Sequence, residues 1–262
     1  MAKTGLPRIL AVAGNVYLEI LRDRLLYLVA LFTLLMVAAA VLLPPIAAGT
    51  EHKIFLDLGL AAIHWLSGLV ALLVGSGLIN REVDKRTILV VLTKPVSRAE
   101  WVVGKHLGLA MVLVLLVGAL GLVLLLLLIL QGITFALSSL LWAIGFTALE
   151  AILLAAIALF FGSFTSSLLA MLMGLAVYLM GHLSQHLVNL ARLSQDPGLT
   201  RISNFLYLVL PDLERLNLRN LAVYGPEVMP QGSVLISHGL YALAYTAMLL
   251  SLTSLIIYRR QF

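Results

Sequence analysis

Several ionisable side chains of this 262-residue sequence stand inside long apolar runs, where each one needs a physical reason. A charged group at the centre of a bilayer costs about 2.5–3.5 kcal/mol on insertion scales. Glu150 lies near the middle of such a run, so it is a candidate to line a translocation path or to relay protons. The alternative is a protonated carboxyl hydrogen-bonded to a neighbouring helix. Asp57 and His64 share another run, where a structural role is the simpler interpretation.

A second candidate is the pair His182 and His186, which stand four residues apart near the end of an apolar run. On a helix this spacing puts both imidazoles on one face, so they could share a metal ion. Met171, Met173 and Met180 precede them, and thioether with imidazole suits Cu(I). Two histidines without a third ligand do not define a metal site, and methionines also fill gaps between helices. We therefore predict no metal, with His182 and His186 as the weak candidates.

Residues for catalysis or nucleotide binding do not emerge from the sequence. Cysteine is absent, which excludes disulfides, zinc ribbons and thiol chemistry. There is no nucleophile–base pair and no Gly-x-x-x-x-Gly-Lys-Ser/Thr sequence for ATP, because Gly104-Lys105 opens an apolar run instead of following a strand. We predict a chain that is not an enzyme and holds no cofactor of its own.

The composition identifies the solvent in which these side chains sit. The chain is 62% hydrophobic and 11% charged, against roughly 45–50% and about 25% in soluble domains. No water-soluble fold can hide this apolar excess, so the chain must lie in a lipid bilayer. Its net charge of +5 does not indicate nucleic-acid binding, because the 17 Lys and Arg stand in short segments between apolar runs. That placement is typical of membrane topology.

Apolar runs long enough to cross a bilayer predict an all-α polytopic fold with six transmembrane helices in a single domain, 1–262. Basic residues concentrate in the N-terminal segment, in the loop after the second run and at the C-terminus, so both termini are predicted to be cytoplasmic. An even number of spans agrees with this orientation. The predicted spans are 25–48, 55–79, 107–130, 139–162, 167–188 and 234–258.

Segment 8–24 has the period of an amphipathic helix ahead of the first span. One stripe is apolar and the opposite stripe is polar, which predicts an interfacial helix on the cytoplasmic side. The alternative is a simple extension of the first span into water. The apolar stripe consists of Ile9, Val12, Ala13, Val16 and Ile20, and the polar one of Arg8, Asn15, Glu19, Arg22 and Asp23.

The loop 189–233 between the fifth and sixth spans is long enough to hold structure of its own, outside the cell. Its apolar core, Phe205–Leu210, is too short to cross a bilayer and is closed by Pro211. It suits a short re-entrant or surface helix, so we predict an external helical insertion. An ordinary structured loop is the alternative.

The cytoplasmic loop 80–106 carries the most explicit local signals. Pro95 ends one helical piece, and Ser97 with Glu100 forms a capping box that starts the next. Val96 and Trp101 add a hydrophobic staple across this start. The pattern predicts a rigid helix–break–helix elbow. Such an elbow is a coupling element, through which a force exerted on the loop is transmitted to the spans.

This elbow resembles the signature of ABC-2 type permeases, and most of all the branch labelled as permeases of multicopper-enzyme maturation. Glu82, a Pro-x-Ser-Arg turn at Pro95 and a Gly-Lys at Gly104 carry the resemblance. Many family members have Gly-Thr where this chain has Arg86-Thr87, which bears on the branch and not on the family. The resemblance implies that an ATPase subunit docks on the elbow. The residues it implies for this coupling are Glu82, Arg86, Pro95, Ser97, Arg98, Glu100 and Lys105.

The same resemblance implies the partners and the location of the chain. These are a separate ABC ATPase that binds ATP and Mg, a second copy of this chain, and a bacterial or archaeal cytoplasmic (inner) membrane. An external protein is a further candidate partner. The implied function is a permease subunit that couples ATP hydrolysis to export or to conformational work. The alternatives are a proton-coupled secondary transporter with Glu150 as coupling site, and a membrane scaffold.

Overall fold

The computed structural model describes residues 5–21, 25–44, 49–84, 97–194 and 196–259. All regular structure within these ranges is helical, in nine α-helices and two 3₁₀ turns. The helices are α1 (Leu6–Leu21), α2 (Leu25–Leu42), α3 (Glu51–Asp84), α4 (Arg98–Leu130), α5 (Leu137–Gly162), α6 (Ser167–Ser194), α7 (Pro197–Val209), α8 (Arg219–Tyr224) and α9 (Gly232–Arg259), with 3₁₀ turns at Leu213–Leu216 and Pro226–Val228.

Five of these helices, α3, α4, α5, α6 and α9, are long and apolar enough to cross a membrane. A sixth span results if α1 and α2, which meet at an angle of 51°, are counted together. The all-α polytopic fold is therefore confirmed. The helix α3 is longer than predicted: its 34 residues extend about 51 Å, well beyond a hydrocarbon core of about 30 Å.

The centre of the bundle is α5, which packs against α3, α4, α6 and α9. Small residues allow its backbone to approach α3 closely. A Cβ placed on Gly75 of α3 would lie 2.9 Å from the Cβ of Ala158, and one on Gly162 would lie 3.0 Å from the Ser76 carbonyl oxygen. Since α3 and α5 are held at this short separation, side chains at the same level of the two helices are forced together.

The start of α4, the end of α9 and α1 lie at one end of the bundle, which we call the terminal end. The helix α1 packs across α4, and the predicted apolar stripe faces this contact, with Ala13, Val16 and Ile20 buried. Two glycines of α4 leave the space in which α1 lies, and we call this contact the seat of α1. A Cβ on Gly104 would lie 2.7 Å from Val12 Cβ, and one on Gly108 would lie 2.6 Å from the Ala13 carbonyl oxygen.

Residues 196–231 form the insertion, and they define the opposite end of the bundle, the insertion end. The helix α7 packs against α6 and includes the predicted core around Phe205. Beyond it the chain reaches back to the middle of α6, where a Cβ on Gly181 would lie 2.7 Å from the Pro211 carbonyl oxygen. The insertion is therefore helical, and it penetrates along α6 instead of ending as a loop above it.

Candidate functional site

Three side chains from three helices meet inside the bundle: His64 of α3, Glu150 of α5 and His182 of α6. Glu150 Oε2 lies 3.4 Å from His64 Nδ1, and Glu150 Oε1 lies 3.3 Å from His182 Nε2. Glu150 and His64 are buried, with exposed side-chain fractions of 1% and 3%, while His182 retains 17%. Each lies about 20 Å along its own helix from the helix terminus at the insertion end, at a rise of 1.5 Å per residue. We call these residues the His–Glu–His cluster.

Tyr178 of α6 contacts both histidines of the cluster and orients them. Its hydroxyl lies 2.7 Å from His64 Nε2, and its backbone carbonyl oxygen accepts from His182 Nδ1 at 3.0 Å. A carbonyl oxygen only accepts, so the Nδ1 of His182 must carry the proton. In the neutral imidazole the lone pair of Nε2 then faces Glu150.

The cluster is incompletely hydrogen-bonded within the part of the chain that the structure describes. Both oxygens of Glu150 and Nε2 of His182 are buried and have no hydrogen-bond partner there. Their contacts at 3.3–3.4 Å are close enough for charges to interact, but they lack hydrogen-bond alignment. Two acceptors that face each other in a buried site need a proton or a cation between them.

Aromatic rings and the insertion surround the cluster. The imidazole of His64 meets that of His182 edge-on, with ring centroids 5.4 Å apart, and Tyr178 packs on His182 at 4.7 Å. From the insertion, Arg219 and Glu214 are near enough to act electrostatically on Glu150. Protein therefore encloses Glu150 and His64, and the charges of the insertion act on the partly exposed His182.

A second polar group holds the insertion in place. Asp212 is 2% exposed, and its Oδ2 accepts from Gln185 at 2.8 Å, from Tyr207 at 3.1 Å and from Arg215 at 2.7 Å. The hydrogen bonds from Arg215 to Asp212 and Tyr207 raise the pKa of the guanidinium. The Asp212 backbone N–H donates to the Tyr241 hydroxyl. Asp212 thereby joins the insertion to α6 and α9.

At the terminal end, the predicted capping box is present. The Glu100 N–H donates to Ser97 Oγ at 3.2 Å, and the Ser97 N–H donates to Glu100 Oε2 at 2.7 Å. Arg98 donates to the carbonyl oxygens of Ile257 and Tyr258, among the last of α9. Carbonyls at a helix end lack intrahelical partners, so Arg98 caps α9 and ties it to the start of α4.

The other predicted coupling residues divide between buried and undescribed positions. Lys105 is 2% exposed and lies 5.0 Å over the ring of Trp101, so it would act by positioning α4 and not as a surface contact. Arg86 and Pro95 lie outside the described residues, and so does Val96 of the staple. Glu82 belongs to the last turn of α3.

The structure brings Glu150 together with His64 and His182, and not with His186. His186 is exposed and does not belong to the group of three potential ligands. Asp57 is also exposed. For His64, the sequence favours a structural role, and no local pattern indicates its partners, because they lie on two other helices.

The capping box allows one direct test. Ser97→Ala removes the acceptor for the Glu100 N–H, and loss of such a cap costs about 1 kcal/mol. We expect amide hydrogen exchange in the first turn of α4 to accelerate by roughly fivefold, by the usual conversion of free energy to equilibrium constant. Ser97→Thr keeps a hydroxyl acceptor and is the control. Equal exchange rates in all three proteins would contradict a stabilising cap.

Length, apolar helices and a shielded polar site define a polytopic membrane protein. The family described as ABC-2 family transporter protein matches residues 10–259. This chain therefore belongs to the ABC-2 transporter family, whose members partner with ABC ATPases in a lipid bilayer. The multicopper-enzyme-maturation branch stays a prediction. A search of curated proteins gave no match.

Proposed function

We propose that this chain is the transmembrane permease subunit of an ABC-2 type transporter, and that a separate ATPase subunit docks on its terminal end. The observation that carries the proposal is the family match over residues 10–259. The chain itself has no ATP-binding sequence of the Gly-x-x-x-x-Gly-Lys-Ser/Thr type. In this proposal the energy arrives through contact with the ATPase subunit.

The packing of the terminal end supports a mechanical role for segment 80–106. Within this segment α3 ends at Asp84 and α4 begins at Arg98, and both helices pack against α5. Asn80 of α3 also donates to the Thr165 carbonyl oxygen, in the turn between α5 and α6, at 3.0 Å. A displacement of the elbow would thus act on four spans together: α3, α4, α5 and α6.

Arg98 extends this connection to the last span. Because its guanidinium holds the final carbonyls of α9, the start of α4 and the end of α9 would move as one body. The helix α1, seated on Gly104 and Gly108, would move with them. We propose that ATP-driven closure of the ATPase shifts this body against the rest of the bundle, between two global arrangements.

The proposed orientation places the terminal end in the cytoplasm, following the distribution of basic residues. Both termini are then cytoplasmic and the insertion faces outward, in a bacterial or archaeal inner membrane. We further propose that two copies pair with two ATPase subunits. In this assembly the path of the exported substrate forms between the two copies.

The proposal is tested by isolating the chain with its partners. After mild solubilisation from its native host, a tagged chain should co-purify with an ATPase that has a Gly-x-x-x-x-Gly-Lys-Ser/Thr sequence.

Cross-linking tests where the ATPase binds. Since the chain has no cysteine, Arg86→Cys offers a single cross-linking site on the predicted elbow, and Tyr224→Cys in the insertion is the control. We expect cross-linking to the ATPase from position 86 only. Absence of any ATPase, or equal cross-linking from both positions, would overturn the proposal.

The His–Glu–His cluster favours one second candidate, a proton-coupled secondary transporter. A carboxyl flanked by two imidazoles can take up and release a proton inside the membrane. Transport in vesicles separates the two functions. An ABC permease requires ATP and its ATPase subunit, whereas a proton-coupled transporter works with a pH gradient alone and stops on Glu150→Gln.

A further inference from the structure

We propose that His64, Glu150 and His182 bind one divalent transition-metal ion of the Zn²⁺ class. One ligand atom from each residue lies within 4.8 Å of the other two. The three residues come from α3, α5 and α6, so an ion there would join three spans at a single point. This inference is independent of the proposed coupling to an ATPase.

The two distances from Glu150 to the imidazoles match the spacing of metal ligands better than that of hydrogen-bond partners. Zinc binds imidazole nitrogen and carboxylate oxygen at about 2.0–2.2 Å in tetrahedral geometry, which separates neighbouring ligand atoms by roughly 3.3–3.6 Å. Glu150 Oε2 lies 3.4 Å from His64 Nδ1, and Glu150 Oε1 lies 3.3 Å from His182 Nε2. The carboxylate thus offers a different oxygen to each imidazole, and one ligand atom from each of the three residues lies within 4.8 Å of the others. A hydrogen bond between nitrogen and oxygen is shorter, about 2.7–3.2 Å, and requires an alignment that these contacts lack.

The second nitrogen of each imidazole is already occupied, as in metal-bound histidines. His182 donates from Nδ1 to the Tyr178 carbonyl, which leaves the Nε2 lone pair directed at the cluster. His64 uses Nε2 for the Tyr178 hydroxyl, which leaves Nδ1 directed at Glu150. One residue of α6 thus orients both imidazoles, and it does so through groups that are not ligands.

A cation would also satisfy the atoms that are left without partners. Both oxygens of Glu150 and Nε2 of His182 are buried acceptors lacking a donor in the described part of the chain. A single ion between them satisfies these atoms together and neutralises a carboxylate whose burial is otherwise costly. The positive charge of Arg219 repels a cation at the cluster. The negative charge of Glu214, which also belongs to the insertion, offsets this repulsion.

The ligand types select the class of ion. Imidazole suits zinc, copper, iron and nickel, whereas calcium takes six to eight oxygen ligands and magnesium a shell of oxygens and waters. Two histidines and one carboxylate leave a fourth tetrahedral position open. His182 is the most exposed residue of the set, at 17%, although its Nε2 is itself buried.

The test uses the full-length chain in detergent, purified with a tag free of histidine and stripped with a chelator. Zn²⁺ is then added, excess is removed by desalting, and bound metal is counted by mass spectrometry. We expect one ion per chain. The nearly isosteric Glu150→Gln and the polar His182→Gln should each weaken Zn²⁺ binding by at least about 100-fold, and Tyr178→Phe by roughly 10-fold, as for an orienting partner. His186→Gln, on the same helix, should leave binding unchanged.

Two results would overturn the proposal. One is the absence of retained Zn²⁺ in the wild-type chain, in which case a proton between Glu150 and His182 accounts for the cluster. The other is Zn²⁺ binding that survives Glu150→Gln, which would place the ion elsewhere. The variants are informative only if they elute from size exclusion as the wild-type chain does. If they do not, X-ray absorption spectroscopy of Zn²⁺ bound to the wild-type chain tests the proposal, because the spectrum must then show two imidazole ligands. Co-purification of an ATPase is unaffected by any of these outcomes.

Discussion

Replacing Gly108 with leucine should detach α1 from α4. Even a single Cβ at this position would lie 2.6 Å from the Ala13 carbonyl oxygen and 2.7 Å from Val16 Cβ, and the first of these is backbone that cannot rotate away. Overpacking of this kind costs about 1–3 kcal/mol. Because each 1.4 kcal/mol is a tenfold change in an equilibrium constant, the population with α1 detached should rise roughly tenfold or more.

The absence of native cysteine makes this change measurable by labelling. Val16 is buried against α4, so a Val16→Cys chain should react slowly with a maleimide, and Gly108→Leu should raise the rate by roughly tenfold. Leu18→Cys, on the exposed side of α1, should react quickly in both backgrounds. Gly118 is the matched control on α4, because a Cβ there meets nothing within 4 Å. A Gly118→Leu chain that labels like the Gly108→Leu chain would contradict a specific seat for α1.

Features set by local sequence were predictable, and the structure contains them. The apolar stripe of α1 follows the helical period, and Ala13, Val16 and Ile20 are the residues it buries. The capping box of Ser97 and Glu100 depends on a spacing of three residues and forms as predicted. What the stripe packs against was not predictable. Amphipathicity indicates a bilayer surface as readily as another helix, and the seat on Gly104 and Gly108 depends on how α1 crosses α4.

The His–Glu–His cluster was not predictable for a related reason. His64 and Glu150 are 86 positions apart, and their contact depends on the depth at which α3 and α5 cross. Hydropathy locates a span within a few residues at best. A shift of a single residue along a helix changes the direction of the side chain by about 100°. The pair of His182 and His186 is a candidate from the sequence because its spacing of four residues is a local pattern. The structure instead places His182 beside two residues that no spacing connects to it.

The same limit applies to the insertion. Pro211 correctly marked the end of its apolar core, since proline cannot continue a helix. The depth to which the chain returns along α6 depends on Gly181, which leaves room for the Pro211 carbonyl. Gly181 immediately precedes His182, so the contact that seats the insertion and the cluster share one turn of α6. Loss of the insertion's anchor should therefore disturb the cluster as well.

That anchor is Asp212, and replacing it with alanine should release the insertion. The substitution removes the common acceptor of Gln185, Tyr207 and Arg215. Hydrogen bonds to a charged group contribute about 1.5–3 kcal/mol each. These three share one oxygen and are not additive, and Arg215 is partly exposed and can turn to water. We therefore expect a total loss of about 2–3 kcal/mol, with Asp212→Asn intermediate because its amide oxygen still accepts.

Hydrogen exchange distinguishes release of the insertion from general unfolding. In Asp212→Ala, amides of residues 212–224 should exchange faster by at least tenfold, which is the equivalent of about 1.4 kcal/mol, while those of α4 and α5 stay protected. Glu227→Ala alters an exposed carboxylate in the same insertion and should change neither region. Uniform loss of protection would mean that Asp212 stabilises the whole bundle. Unchanged protection would mean that Gly181 and the Pro211 carbonyl hold the insertion by packing alone, with the buried carboxylate contributing nothing to its seat.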